Sequence, residues 1–429
     1  MPLIKVALFR LRYLRRFYTP PFLSDIMVLT QRGGEDSHES FINRLLDWLG
    51  LQRDIIVMVV TVLILTMGNQ IWLRYTPKYL EHLGASVFII GLYGFIERLV
   101  GAVYQYPGGT IADKIGSKNA LILFSLASIV GYVIYYFSPS WEWFILGTFF
   151  VLVWESMSSP AIFSLIGEVL SKSKRATGFS VQSILKRIPI ILAPPIGGYL
   201  VQVYGLKEGM KIGFLISIFT GMLAIAIQRK FYTEEIKRKP AGGLSLVKLW
   251  SMMDRNLKHL LIADILARTA SYMVKVYVVL YVLNIVGASP LYYGFMISLQ
   301  MTTSILSYLP AAKLADIYGR KPFVATTFFF FAIFPLALVS VRDAWLLPLA
   351  FIIAGLREVG EPARKALIVD LAGDEYRGRI IGLYYLVREF TTMLAPLIGG
   401  FLWMMAPEVP FYAAFIAGVL GVIVFIYTK

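Results

Sequence analysis

Lys186 and Arg388 are cations in stretches that otherwise read as lipid-soluble. Each lies roughly 14 Å into a run of about 20 mostly apolar residues, the length that crosses a bilayer. They are 202 positions apart (388 − 186). Two matched cations near a membrane midplane are what a site for an anionic group requires. Comparable runs also hold Glu97, Arg98, Glu155, Arg187, Asp264, Arg268, Lys275, Arg357, Glu358, Glu361, Arg364 and Glu389. Ionisable groups at that depth are costly and face a cavity or one another. Asp264 and Arg268, four apart, can pair along one helix face. Glu155 aligns with Arg357 (357 − 155 = 202), and the opposite signs predict a salt bridge between two halves of the chain. Arg187 with Glu389 is a further candidate pair. Arg364, Lys365, Glu168 and Asp370 fall near the ends of their runs and read as interface or gate residues. A carboxylate that moves protons must change charge during its cycle. Glu97, Glu155, Asp264, Glu358 and Glu361 qualify, and the sequence singles out none of them.

The elements that must position these groups are membrane-spanning helices. Only 16% of the 429 residues are charged and 58% are hydrophobic, too little polar surface for a water-soluble domain. Twelve apolar runs are long enough to span, near 54–75, 86–107, 119–138, 142–168, 177–201, 208–228, 258–284, 291–311, 322–341, 345–369, 379–404 and 409–427. One set of loops carries Lys114, Lys118, Lys172, Lys174, Arg175, Lys313, Arg320, Lys321, Arg377 and Arg379, whereas the alternate set carries only Lys78, Lys207, Lys211 and Arg342. The positive-inside bias puts the first set, and both termini, in the cytoplasm.

Residues 1–50 hold no span; Ile4, Leu8, Leu11 and Leu14 alternate with basic residues as on a helix lying along anionic lipid. A disordered arm, or a true start at Met27, fits the same residues. The segment 229–257 is basic and then amphipathic, a linker between six-helix units at 51–228 and 258–429. The chain has no cysteine, and its three histidines are scattered, so neither a disulfide framework nor a thiolate or histidine metal site is expected. The net charge of +15 follows the loops and the arm, which points to membrane orientation instead of nucleic acid.

An internal repeat ties the two units together. Gly84-Ala85-Ser86 returns as Gly287-Ala288-Ser289, and Ile111-Ala112-Asp113 as Leu314-Ala315-Asp316, both at an offset of 203 (287 − 84). Pro160 returns as Pro362, Arg175 as Arg377, and Ala193-Pro194-Pro195-Ile196-Gly197-Gly198 as Ala395-Pro396-Leu397-Ile398-Gly399-Gly400, all at 202 (362 − 160). Matches in phase along so much of each unit indicate parallel repeats about an axis along the membrane normal.

The loop from Gly109 through Asp113 and Gly116 to Lys118 resembles the G-x-x-x-D-x-x-G-R/K-R/K signature of the major facilitator superfamily. A second copy, with Asp316, Gly319, Arg320 and Lys321, occupies the matching place in the second unit. The resemblance covers everything after about residue 50. It implies an all-α integral membrane protein of twelve transmembrane helices in two six-helix, pseudo-symmetric halves. It also implies a cytoplasmic gate in which Asp113 meets Arg377 or Arg379 and Asp316 meets Arg175. Pro194-Pro195-Ile196-Gly197-Gly198 looks like the end of the drug–proton antiporter motif. Ser180, Pro189 and Ala193 stand where the fuller motif has glycines, and the second copy fits a helix bend and close helix contact equally well.

The expectation is a secondary active transporter working by alternating access, most simply proton-coupled efflux of amphipathic compounds. No phosphate-binding loop or other cofactor site is present. Partners would be a small molecule, protons and the lipid of the plasma membrane, with the protein a monomer. An organic-anion transporter using Lys186, Arg268 and Arg388 is an alternative, and a non-transporting receptor is another. An integral membrane enzyme would need a nucleophile or metal set that the sequence does not offer.

Overall fold

The computed structural model describes residues 53–159, 162, 187–231, 246–372 and 377–427. The N-terminal arm, Arg175, Lys186 and residues 232–245 of the linker lie outside the described residues, as do the side chains of Asp113 and Arg377. Among the described residues every regular element is helical.

The first half contains α1 (Arg53–Leu73), α2 (Thr76–His82), α3 (Val87–Ile115), α4 (Ser117–Phe137), α5 (Trp141–Leu152) and α6 (Arg187–Phe231). The linker contributes α7 (Leu246–Met252). The second half contains α8 (Arg255–Lys275), α9 (Val278–Leu280), α10 (Pro290–Tyr318), α11 (Arg320–Val339), α12 (Leu347–Leu356), α13 (Glu361–Leu371), α14 (Arg377–Thr392), α15 (Ala395–Trp403) and α16 (Val409–Ile426). Among the described residues six helices are individually long and apolar enough to cross a membrane, and α8 with the α9 segment, bent by 44°, makes a seventh. The 45-residue α6 is a hairpin: it turns at Gly205 (φ +79°), and Gly197 and Gly213 on its two arms both pack on Ile71. Counting its arms separately and joining the broken pairs gives the twelve rods that the hydropathy predicts.

The rods that fall short as single helices are interrupted or polar for identifiable reasons. Span one breaks at Arg74-Tyr75 and span seven at Val276-Tyr277, the matched position. Span four passes through a π turn at Val153–Met157, and span ten through an open turn between α12 and α13 at residues 357–360. There Gly360 N donates to Thr327 Oγ1 at 2.6 Å, so a backbone group freed by the break finds a side-chain partner, as a membrane interior demands.

Gly116 and Gly319 turn α3 into α4 and α10 into α11, with φ +83° and ψ +151°, and φ +89° and ψ +156°. That region is open essentially only to glycine, which explains the glycine of each signature loop. We call this the basic end of the bundle, after Lys114, Lys118, Lys313 and Lys321.

At the opposite end the halves close on each other through a two-fold seam. Tyr75 Oη lies 2.9 Å from Pro194 O and 3.0 Å from Pro290 O. Its repeat mate Tyr277 (277 − 75 = 202) sets its hydroxyl 2.9 Å from Pro396 O and 3.5 Å from Val87 O. Gly91 and Gly294 let the backbones meet: a Cβ on either would stand 2.7 Å from Pro396 O or 2.5 Å from Pro194 O. The repeated Pro-and-Gly stretches therefore act as close-contact surfaces in both halves. Replacing Tyr75 or Tyr277 by Phe should cost about 1 kcal/mol each and lower the thermal midpoint in detergent by roughly 1–3 °C. Unchanged midpoints for both variants would remove the seam's hydroxyls from the account.

Candidate functional site

Helix α8 carries Asp264, α13 carries Glu361 and Arg364, and α14 carries Tyr384, Arg388 and Glu389. Asp264 is completely buried. It accepts hydrogen bonds from Arg364 Nη1 at 2.6 Å, Tyr384 Oη at 2.9 Å and Arg388 Nη1 at 3.2 Å. One turn along the helix, Arg268 Nε stands 3.5 Å from the other carboxylate oxygen. Arg268 also donates to Glu361 at 2.7 Å, and Glu361 receives Arg364 through two further bonds of 2.6 and 2.8 Å. The planar fork of arginine suits this sharing of carboxylate oxygens. Removing charges from water so completely costs energy that only such geometry offsets.

From this buried cluster the chain of charges reaches the other half. Arg388 donates to Glu389 Oε1 at 2.6 Å, and Arg98 of α3 donates to Glu389 Oε2 at 2.6 Å. The Arg98 guanidinium lies 3.0 Å from the ring centre of Tyr272 on α8. Two more ion pairs cross between halves: Lys275 with Glu97 at 3.0 Å and Arg187 with Glu358 at 3.5 Å. Arg187 also donates to Ser304 at 3.0 Å.

Glu97 and the Arg98–Glu389–Arg388 bridge border a cavity of about 650 Å³ between the halves. Its wall runs from Glu97, Glu155, Tyr272 and Glu389 at mid-bundle to Gln105, Ser159 and Gly382 toward the basic end. The size is that of a pocket for a small organic molecule.

A sequence model described as the Major Facilitator Superfamily matches residues 55–260 and, a second time, residues 260–429. The chain belongs to the major facilitator superfamily. Among curated proteins it is similar to the quinolone resistance protein NorA of Staphylococcus aureus (strain COL), 23% identical over 390 residues that cover 88% of this chain and 97% of NorA. Among solved structures, the nucleoside transporter NupG superposes with a TM-score of 0.73 at 12% identity, covering 87% of this chain and 99% of NupG. A bacterial homologue of the human lysosomal transporter Spinster, crystallised inward-facing and unoccupied, gives 0.67 at 13%, covering 87% and 94%. Those structural likenesses carry the fold alone.

Set against the transporter's geometry, the expected pairings divide. Asp264 with Arg268 forms. Arg357 does not bridge to Glu155: it donates to Ser271 at 3.3 Å and Ala354 O at 2.9 Å, because the turn after α12 aims it into its own half. Glu155 is exposed on the cavity wall. Arg187 pairs with Glu358, leaving Glu389 to the two arginines already named. Arg364 is 1% exposed at the centre of the network and is no surface gate residue. Of the gate residues, Arg320 pairs with Asp370 inside its own half. Asp316 is exposed, Arg379 is half-buried, and Gly109 sits within α3. The gate pairings themselves involve Asp113, Arg175 and Arg377, and so lie outside the described side chains.

Sequence reasoning passes over Tyr75 and Arg74: Tyr75 is findable from its repeat mate Tyr277, and Arg74 reads as the end of span one. Tyr384 stands out in the sequence only as an aromatic at span depth, and the structure turns its hydroxyl onto Asp264.

Proposed function

We propose that the protein is a secondary active transporter that exports small amphipathic organic compounds by alternating access, driven by protons. The observation that carries this reading is the cavity of about 650 Å³ at the interface of two repeats, crossed by ion pairs at mid-bundle, with the tyrosine–proline seam joining the halves at the end opposite the signature loops. The lysines and arginines of the loops support a cytoplasmic basic end; on that reading the cavity extends inward from the membrane centre and both termini are cytoplasmic, in the plasma membrane. The six-helix units 51–228 and 258–429 rock about the seam, and the signature-loop residues around Asp113 and Asp316 close the other side. A monomer suffices for this cycle. The export direction and amphipathic cargo draw support from NorA, nearly all of whose length the chain matches.

The test is proton flux in proteoliposomes with a lumenal pH dye and a panel of cationic, neutral and anionic organic compounds. At least one class should discharge an imposed pH gradient, and protein-free vesicles should not respond. Isotope exchange without proton movement would remove proton coupling. Ligand binding with no flux of any kind would turn the reading into a receptor.

A further inference from the structure

Among the described residues, two guanidiniums at the interruptions of their spans form no ion pair. Arg74 sits in the break between α1 and α2, and Arg357 opens the break between α12 and α13; both are half-buried. Among the described residues Arg74 makes no ion pair, and its Nε is buried without a hydrogen-bond partner. Among the described residues Arg357 donates to the neutral oxygens of Ser271 and Ala354 alone, and it covers the Phe334 ring at 4.4 Å.

The nearby acids are already engaged. Glu97, within reach of Arg74, holds Lys275 at 3.0 Å, and Glu358, beside Arg357, faces Arg187 at 3.5 Å. Four cations thus share two carboxylates. On a wet surface that imbalance means little, but inside a membrane an uncompensated pair of like charges is unfavourable and marks a place for a counter-charge.

Space for one exists. A cavity of about 50 Å³ is bordered by Arg74, Tyr93, Glu97 and Lys275. One water takes about 30 Å³ of liquid volume, so the space suits a carboxylate-sized group. Glu97 also borders the large cavity, so one side chain is common to the walls of both spaces. Both arginines stand at interruptions of spans, where transporters of this architecture place their ligands.

We propose that Arg74 binds the acidic head of an amphipathic organic anion whose apolar body lies in the large cavity. This rests on the transporter reading above and narrows its substrate class.

The experiment uses the purified full chain and three probes with one aromatic body: 2-naphthoate, 2-naphthalenemethanol and 2-naphthylmethylammonium. Binding is read by isothermal titration, with sodium sulfate alone as a control for a free inorganic anion. Naphthoate should bind tightest. Arg74→Gln should weaken it about ten-fold or more, with Arg74→Lys restoring most of the loss. The alcohol and the ammonium should be indifferent to these changes. Folding of each variant is checked by its elution profile and thermal midpoint.

Undiminished naphthoate binding by well-folded Arg74→Gln overturns the proposal, as does preference for the ammonium probe. If sulfate alone binds with the same arginine dependence and naphthoate gains nothing from its ring, the site holds a free ion and the substrate assignment falls. The proton-flux assay separates the two levels. Flux of a compound that ignores Arg74→Gln sinks only the anion subsite, whereas absence of flux for every compound sinks the transporter reading itself.

Discussion

Asp264→Asn should destabilise the protein by about 3–5 kcal/mol, the cost of stranding a buried partner charge. The carboxylate is fully buried and stands against three guanidiniums, those of Arg364, Arg268 and Arg388. With Asp264 in place, the continuous network holds Arg98, Arg268, Arg364 and Arg388 against Asp264, Glu361 and Glu389, an excess of one positive charge. Neutralising Asp264 doubles that excess at the point furthest from water, and Arg364, at 1% exposure, cannot turn away to find solvent. The asparagine amide keeps an acceptor for Tyr384 but loses the Coulombic part of every arginine contact.

A compensating change distinguishes charge balance from mere packing. Asp264→Asn combined with Arg364→Met removes one unit of each sign and should recover at least half of the lost stability, measured as the thermal midpoint and the monodisperse fraction after detergent extraction. If the single variant is as stable as the parent, or the double variant is worse than the single, the network is not held together by charge compensation.

How far the site was legible depended on what fixes each contact. The Asp264–Arg268 pair is set by helix periodicity alone, so a spacing of four sufficed. The repeat was equally legible, because Tyr75 and Tyr277 with Pro194 and Pro396 reuse one local geometry at one sequence offset. The Glu155–Arg357 bridge failed because matched positions share depth without sharing direction. Each residue adds about 100° of helical phase, and the π turn and the open turn shift that phase differently in spans four and ten. Arg364 was placed too near the surface for a related reason: sequence distance from a span's end measures depth only in an unbroken helix, and the break at 357–360 displaces α13 from that line. Partner choice among many arginines is decided by such rotations, which hydropathy does not register.

Among the carboxylates, Glu389 combines two properties that proton coupling needs. It borders the cavity with 24% of its side chain exposed, and it joins Arg388 of its own half to Arg98 of the other. Asp264 is sealed, so a proton reaches it only after other contacts break. Adding a proton to Glu389 would remove the charge that holds Arg98 across the interface while leaving Asp264 to keep Arg388 in place. Glu389→Gln imitates that state permanently. It should lower proton-driven accumulation in proteoliposomes about ten-fold or more, equivalent to some 1.4 kcal/mol of lost coupling, while downhill exchange of the same compound continues. Arg98→Gln should do likewise, and the double variant should be no worse than either single one, since both remove the same interaction. Full coupling retained in Glu389→Gln would instead direct the search to Glu97 and Glu358, the acids of the other two bridges between halves.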